Sequence, residues 1–194
     1  MKFHYPEGAT PIDQNQITGI IPTHLVTQQD LNEWEAQNIL EAENWAFRSR
    51  RTKDILTISF IQKLHKKMFD KTWNWAGEFR RTQTNIGVEP HLIFSHLGHL
   101  LNDAHYWVTH NTYDLDEIAA RLHHKLVYIH CFPNGNGRHS RFYTDIFLID
   151  NNRPTFTWGS KDLTKNNVQR HLYIESLKAA DHHDYAPLLE FVRS

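Results

Sequence analysis

The sequence predicts an all-α domain that is interrupted by one short β-hairpin. Its 194 residues are 40% hydrophobic and 22% charged, which suits one ordinary globular domain. After residue 26, apolar residues recur three and four positions apart in most segments, as they do on one face of an α-helix. The segment 79–94 breaks this period. We therefore expect an irregular arm over residues 1–26 and a single helical domain over residues 27–194.

The first helices are predicted from capping residues and from the stripe that follows them. Thr27 and Asp30 have the spacing of a capping box, with Asp in place of the usual Glu, so a helix is expected over about 28–50. Its predicted buried stripe consists of Leu31, Trp34, Asn38, Ala42 and Trp45. A second helix is expected to begin near Thr57 and to carry apolar residues at helical spacing as far as Met68.

The segment 79–94 has the alternation of a strand rather than the period of a helix. The alternating positions are Thr82, Thr84, Ile86 and Val88. Asn85 and Gly87 lie among them and suit a tight turn. These features predict a short β-hairpin.

The second half of the chain returns to the helical pattern. Helices are expected over about 95–109, from Asp114 to about His130, over about 138–150, and near 165–180 and 184–192. Pro133 disfavours helical geometry at Phe132, so the helix that begins at Asp114 must end by about His130.

Charge and composition exclude several classes of protein. The chain has 21 Lys and Arg against 22 Asp and Glu, so nothing attracts it as a whole to nucleic acid or to acidic lipid. It contains no run that approaches the ~18 apolar residues of a membrane span. The opening MKFHYPEGAT lacks the apolar core of a signal peptide. We expect a cytoplasmic protein that binds neither membranes nor, directly, nucleic acid.

The residues 130–141 carry the clearest chemical signal, with the sequence HCFPNGNGRHSR. Gly135 and Gly137 allow positive φ angles, so successive N–H groups can point into one concavity. A helix beginning near Arg138 would add the positive end of its dipole, and Arg138 and Arg141 would share one helix face. His130 stands at the other end of the loop. These residues predict a polyphosphate site with a proton acceptor beside it.

This stretch resembles the Fic/Doc family signature His-x-Phe-x-(Asp/Glu)-Gly-Asn-Gly-Arg-x-x-Arg at every defined position but one. The segment 79–94, preceded by the letters GEFR, is similar to the family's target-docking flap. The letters YIESL and DYAPL near the C-terminus also resemble family members. The opening YPEGATPID, together with LNEWEAQNILEAE, resembles the subgroup called mobile mystery protein B. The resemblance implies a Fic-type bundle of six to eight helices with one hairpin flap.

The resemblance also implies an activity and roles for individual residues. The family transfers AMP, or another nucleoside monophosphate, from a nucleoside triphosphate such as ATP to a Ser, Thr or Tyr hydroxyl of a target protein. His130 would be the general base. The phosphate site would comprise Gly135, Asn136, Gly137, Arg138 and Arg141. The flap residues Thr82, Thr84, Ile86 and Val88 would dock the unidentified target, and Tyr173 is a candidate adenine contact.

Asn134 is the departure from the signature, because the family places Asp or Glu there to bind Mg²⁺ or Mn²⁺. An amide keeps an oxygen ligand but loses the charge, so Asn134 is expected to be a weak metal ligand. The chain could bind the metal weakly, use another nucleotide or transferred group, or bind nucleotide without transfer. The last outcome would make it a regulatory module rather than an enzyme.

Many Fic proteins are inhibited by a glutamate that pairs with the second motif arginine. Glu41 and Glu43 lie in degenerate copies of that inhibitory motif and are candidates to pair with Arg141. With such a glutamate, removal of AMP from modified proteins is a further alternative activity. A small regulatory partner protein is another expectation from the resemblance.

Overall fold

The structure is a computed structural model that describes residues 8, 10–11, 14–48, 54–160, 163 and 168–194. Within these ranges the α-helices are α1 (Gln14–Ile17), α2 (Gln28–Arg48), α3 (Ile58–Phe69), α4 (Ile93–His110), α5 (Leu115–Ile129), α6 (Asn136–Asp150), α7 (Val168–Asp181) and α8 (Ala186–Arg193). The prediction of an all-α fold is confirmed. None of the helices in the described part of the chain is both long and apolar enough to cross a bilayer.

The core is centred on α5 and α6, which pack against each other and bury most of their length. On either side of this pair, α4 packs on α5, α3 packs on α6, and α2 packs on α3. The C-terminal helices α7 and α8 pack together, and α8 also contacts α5. The loop between α5 and α6 is therefore held by the two helices that form the centre of the core.

The capping residues begin the helices where the sequence places them. The Thr27 N–H donates to Asp30 Oδ2 at 2.8 Å, and the Asp30 N–H donates to Thr27 Oγ1 at 3.1 Å, which completes a capping box. Thr57 caps α3, because its hydroxyl accepts from the Phe60 N–H. Asp114 caps α5 and accepts from the Asp116 N–H at 2.9 Å. Local hydrogen bonds of this kind can be predicted from sequence alone.

The predicted hairpin over 79–94 is wrong. Residues 79–89 contain no strand, and Pro90–Leu92 is a 3₁₀ turn. The segment instead folds around the buried guanidinium of Arg80, which donates to the carbonyls of Thr82, Val88 and His130. One side chain thus pairs two carbonyls of the segment and joins the segment to the residue that ends α5.

The described part of the N-terminal arm contains regular secondary structure, although the arm was predicted to be irregular. It contains α1, and Ile20 forms an antiparallel bridge with Trp73. The Ile21 N–H donates to the Thr72 carbonyl at 2.9 Å, so the end of the arm is fastened beside α3. The boundary between the arm and the domain, at residue 27, stays a prediction.

Candidate active site

His130 lies at the C-terminal end of α5 in a left-handed conformation, with φ at +52°. Its carbonyl accepts from Arg80 Nε at 2.6 Å, which fixes the turn. Burial lowers the pKa of His130 to about 4, and the positive charge of Arg80 adds to this, while the Val127 backbone opposes it. The imidazole is therefore neutral at pH 7, so it can accept a proton. Its Nε2 faces the hydroxyl of Thr10 at 2.7 Å.

The loop that follows His130 is braced by buried side chains. The side-chain amide of Asn136 binds the backbone of Phe132. Its oxygen accepts from the Phe132 N–H at 2.9 Å, and its NH₂ group donates to the Phe132 carbonyl at 2.8 Å. Phe132 stacks on His65, with ring centroids 3.7 Å apart. The side chain of Asn136 is thus occupied inside the loop, so only its backbone N–H can serve the phosphate site predicted for it.

His65 holds the same loop from α3 and was not identified from the sequence. Its Nδ1 accepts from the Gly77 N–H at 3.0 Å, so its Nε2 is the nitrogen that donates to the Asn134 carbonyl, also at 3.0 Å. Burial holds the pKa of His65 well below its usual value, which keeps the ring in this neutral form. The signal for it was a polar residue at a buried helical position, between Leu64 and Met68.

Gly135 joins the loop to α6 at a position where any other residue would be strained. Its φ is +77°, and a Cβ atom there would lie 2.7 Å from the ring of Phe69. The first bond within α6 runs from the His139 N–H to the Gly135 carbonyl at 2.9 Å. The N–H groups of Asn136, Gly137 and Arg138 precede it, in the turn where a helix leaves its N–H groups for other partners. The positive φ predicted for Gly137 is wrong, because α6 begins at Asn136 rather than near Arg138 and Gly137 already lies within it. The predicted anion site therefore consists of the turn at Gly135 and the first turn of α6.

The two motif arginines differ in their partners. Arg138 Nη1 donates to Glu35 Oε2 at 2.6 Å, and its guanidinium lies over the ring of Phe69 at 4.9 Å. Arg141 forms none of the ion pairs among the described residues, and its guanidinium lies 5.8 Å from the centre of the Tyr173 ring. The Tyr173 hydroxyl in turn hydrogen-bonds the buried His123 Nε2 at 2.8 Å. Arg138 is thus held by Glu35 and Phe69, whereas Arg141 lies against Tyr173, and both arginines line one cavity.

One cavity of about 1220 Å³ collects most of the predicted site residues. They are His130, Asn134, Gly135, Asn136, Gly137, Arg138, Arg141, Tyr173, Ile86 and Glu43. Four others do not line it: Thr82, Thr84, Val88 and Glu41. The flap reaches the site through Gly87, where a Cβ atom would lie 2.7 Å from His130 Cβ.

The candidate inhibitory glutamates do not pair with Arg141 in this structure. Glu41 pairs with Lys71 and does not line the cavity. Glu43 lines the cavity, and burial raises its pKa, but no ion pair among the described residues joins it to Arg141.

Glu35 is the acidic residue that does meet a motif arginine, namely Arg138, and the sequence analysis missed it. It is 4% exposed, whereas Trp34, which was predicted for the buried stripe of α2, is 37% exposed. The signal that could have found it was the helical spacing of Glu35 with Leu31, Asn38 and Ala42, all of which are buried.

Asn134 uses both ends of its amide within the protein. Its Oδ1 accepts from the Gly135 N–H at 2.7 Å, and its Nδ2 donates to the Thr10 carbonyl at 3.2 Å. A carboxylate at this position could not make the second bond, because it has no N–H to donate.

A sequence model of the Fic/DOC family matches residues 55–148, which include His130 and the loop after it. The chain carries a Fic/DOC family domain. Protein adenylyltransferase Fic of Aedes aegypti is 29% identical over 147 residues, which cover 72% of this chain and 27% of that protein. The chain therefore spans about a quarter of the length of this curated relative.

Solved structures of Fic proteins share the fold of this chain. Fic-1 from C. elegans superposes with a TM-score of 0.63 at 23% identity, over 92% of this chain and 52% of that one. BepC from Bartonella tribocorum, with bound AMPPNP, superposes with a TM-score of 0.65 at 17% identity, over 94% of this chain and 96% of that one. The Fic-type helical bundle predicted from the sequence is thus confirmed, and only the hairpin is absent from the described flap.

Proposed function

We propose that the chain transfers AMP from ATP to a Ser, Thr or Tyr hydroxyl of a protein. The observation that carries the proposal is a neutral, buried His130 whose Nε2 lies at hydrogen-bond distance from a hydroxyl, in the same cavity as the N-terminus of α6 and Arg141. The proposed base and the proposed phosphate site thus line the same cavity. The matched curated relatives are named protein adenylyltransferases, which agrees with this chemistry.

In the proposed reaction, His130 Nε2 takes the proton of the acceptor hydroxyl as that oxygen attacks the α-phosphorus of ATP. The bond from the α-phosphorus to the bridging oxygen breaks, and pyrophosphate leaves. The N–H groups at the start of α6 and the two motif arginines stabilise the charge on the phosphates. Tyr173 forms the wall beneath Arg141 and is proposed to lie near the base of the nucleotide.

The Mg²⁺ or Mn²⁺ ion that the family resemblance implies does not fit well at position 134 as the loop is built. The Asn134 oxygen already accepts from the Gly135 N–H, and a neutral amide adds no charge to hold a divalent ion. We derive no step through a metal. Weak metal binding, a cytoplasmic location, a regulatory partner and the mobile mystery protein B subgroup remain predictions.

Target docking on the flap also remains a prediction, and the hydrogen bonds within the flap restrict where a target could add a strand. The carbonyls of Thr82 and Val88 accept from Arg80, that of Ile86 accepts from the Thr84 hydroxyl, and that of Gly87 accepts from Gln83. A docked strand would have to compete with these bonds or use the remaining backbone groups.

The test is incubation of the protein with ATP, GTP, UTP or CTP labelled on the α-phosphorus, with Mg²⁺ or Mn²⁺ and a cell lysate. Labelled protein bands with ATP support the proposal. Labelled bands with another nucleotide correct the donor. Nucleotide binding by calorimetry with no labelled protein supports the regulatory module instead. Release of AMP from already labelled proteins, without new labelling, supports the hydrolase.

A further inference from the structure

The N-terminal arm places a threonine hydroxyl directly on the proposed base. Thr10 Oγ1 lies 2.7 Å from His130 Nε2, and Thr10 is 8% exposed. The Thr10 carbonyl accepts from the Asn134 amide at 3.2 Å. Both the side chain and the backbone of Thr10 are therefore held by residues of the loop signature. A hydroxyl in this position is where a general base requires its substrate.

The backbone around Thr10 suits a bound acceptor segment. Pro11 follows Thr10 and biases it toward an extended conformation, as in a peptide laid along a site. Gly8 lies against α7, since a Cβ atom there would be 3.0 Å from Ile174 Cδ1. Gly8 thus lies against α7 and Thr10 against the loop, and both residues line the cavity.

Thr10 takes the acceptor's position without filling the phosphate side. With the arm in place, the cavity still measures about 1220 Å³ and is still lined by Arg138 and Arg141. Ligand pockets in proteins typically measure roughly 300–1,000 Å³. A nucleoside triphosphate can therefore be accommodated while Thr10 stays on His130.

We infer that Thr10 is an acceptor of AMP from the active site of its own chain, so that the arm is a built-in substrate. The inference rests on the proposed function. His130 Nε2 takes the Thr10 proton, Oγ1 forms a bond to the α-phosphorus of ATP, and the bond to the β-phosphate breaks to release pyrophosphate. A target protein would have to displace the arm before its own hydroxyl could reach His130.

The test uses the purified full chain alone with ATP labelled on the α-phosphorus. Trypsin cleavage after Lys2 and Arg48 releases residues 3–48 as one peptide, and fragmentation locates the adduct within it. We expect AMP on Thr10. Thr10→Val should lose this label to background, whereas Thr10→Ser should retain it. Thr23→Val is the matched control, because Thr23 lies on the same arm and is exposed. It should label as the wild type does.

Transfer within one chain has a kinetic signature. The fraction of protein labelled per minute should stay constant on tenfold dilution of the protein. In a mixture of the two variants, the His130→Ala chain has Thr10 but no base, and the Thr10→Val chain has the base but no Thr10. No label should therefore appear on Thr10 of the His130→Ala chain. Label on Thr10 of the His130→Ala chain in that mixture would overturn transfer within one chain.

The outcomes separate this inference from the proposed function. Self-labelling that maps elsewhere, or that Thr10→Val leaves unchanged, overturns the role of Thr10 and leaves AMP transfer standing. Label on lysate proteins with none on the purified chain does the same. Absence of any label on either, when calorimetry shows that ATP binds, overturns both.

Discussion

Replacing Glu35 by Gln tests whether the buried ion pair with Arg138 fixes the motif helix to α2. Glu35 Oε1 accepts from the Trp73 indole N–H at 2.7 Å, and Oε2 accepts from Arg138 Nη1 at 2.6 Å. A Gln side chain offers only one oxygen, so its NH₂ group must face one of these two donors. If that donor is the Arg138 guanidinium, its hydrogen bond is lost; if it is Trp73, the bond to Arg138 is no longer between two charges.

The expected loss of stability follows from the burial of the two partners. Removing one partner of a fully buried ion pair costs about 3–5 kcal/mol. Glu35 is buried, but the Arg138 side chain is 27% exposed, so water can solvate part of the guanidinium that is left. The loss should therefore resemble that of a hydrogen bond to a charged group, about 1.5–3 kcal/mol in the free energy of unfolding.

Urea unfolding of Glu35→Gln measures this loss, with Glu33→Gln as the matched control. Glu33 lies on the same helix, is exposed and accepts from the Gln29 side chain, so its substitution should stay within about 0.5 kcal/mol of the wild type. A double-mutant cycle with Arg138→Met should give a coupling energy of about 1 kcal/mol or more. A Glu35→Gln protein as stable as the control would refute the reasoning.

Three further predictions concern the loop and the buried histidines. Gly135→Ala should lower the free energy of unfolding in urea by about 1–3 kcal/mol, because of the positive φ at this position and the contact of the new Cβ with Phe69. Gly137→Ala is the control and should change this free energy little, because its new Cβ would lie at an ordinary contact distance of 3.6 Å from Arg141 Nη1. Stability should fall as the pH drops from ~7 to ~5, because burial lowers the pKa of His123, His130 and His139 to about 3, 4 and 4 while their unfolded forms take up protons near pH 6.5. Each histidine contributes at most about 1.4 kcal/mol per pH unit to this loss of stability. Asp145, whose pKa burial raises to about 6, opposes the loss only in part. A free energy of unfolding in urea that does not change with pH would contradict these pKa values. Asn134→Asp should lower the Mg²⁺ concentration needed for half-maximal labelling, because it supplies a carboxylate and removes the donor to Thr10; a metal titration that does not shift would remove position 134 from the metal site.

The helices and the turn at Gly135 could be predicted because their determinants are local. Thr27, Thr57 and Asp114 cap helices through bonds to residues two or three positions away. The positive φ at Gly135 could be predicted because glycine is the residue that adopts this conformation without strain. The signature residues around it lie so close in sequence that their backbone geometry follows from the turn between two helices.

The rest depended on contacts between distant segments. The segment 79–94 folds around Arg80 instead of forming a hairpin, because Arg80 donates to the carbonyl of His130, 50 positions away. The alternating residues of the segment do not predict this contact. Thr10 contacts His130, 120 positions away, so the sequence around Thr10 does not predict the contact. Glu35 meets Arg138 across 103 positions, and Glu35 does not lie in either degenerate copy of the inhibitory motif.

The most direct measurement of the central claim is the effect of His130→Ala on two quantities in the same preparation. One is the dissociation constant for ATP, measured by calorimetry, and the other is the rate of label transfer at saturating ATP. Because His130 moves a proton while the start of α6 and the arginines bind phosphate, we predict a dissociation constant within about threefold of the wild type and a rate lower by about 10²–10⁴-fold. An unchanged rate, or a loss that saturating ATP restores, would contradict the assignment of His130 as the general base.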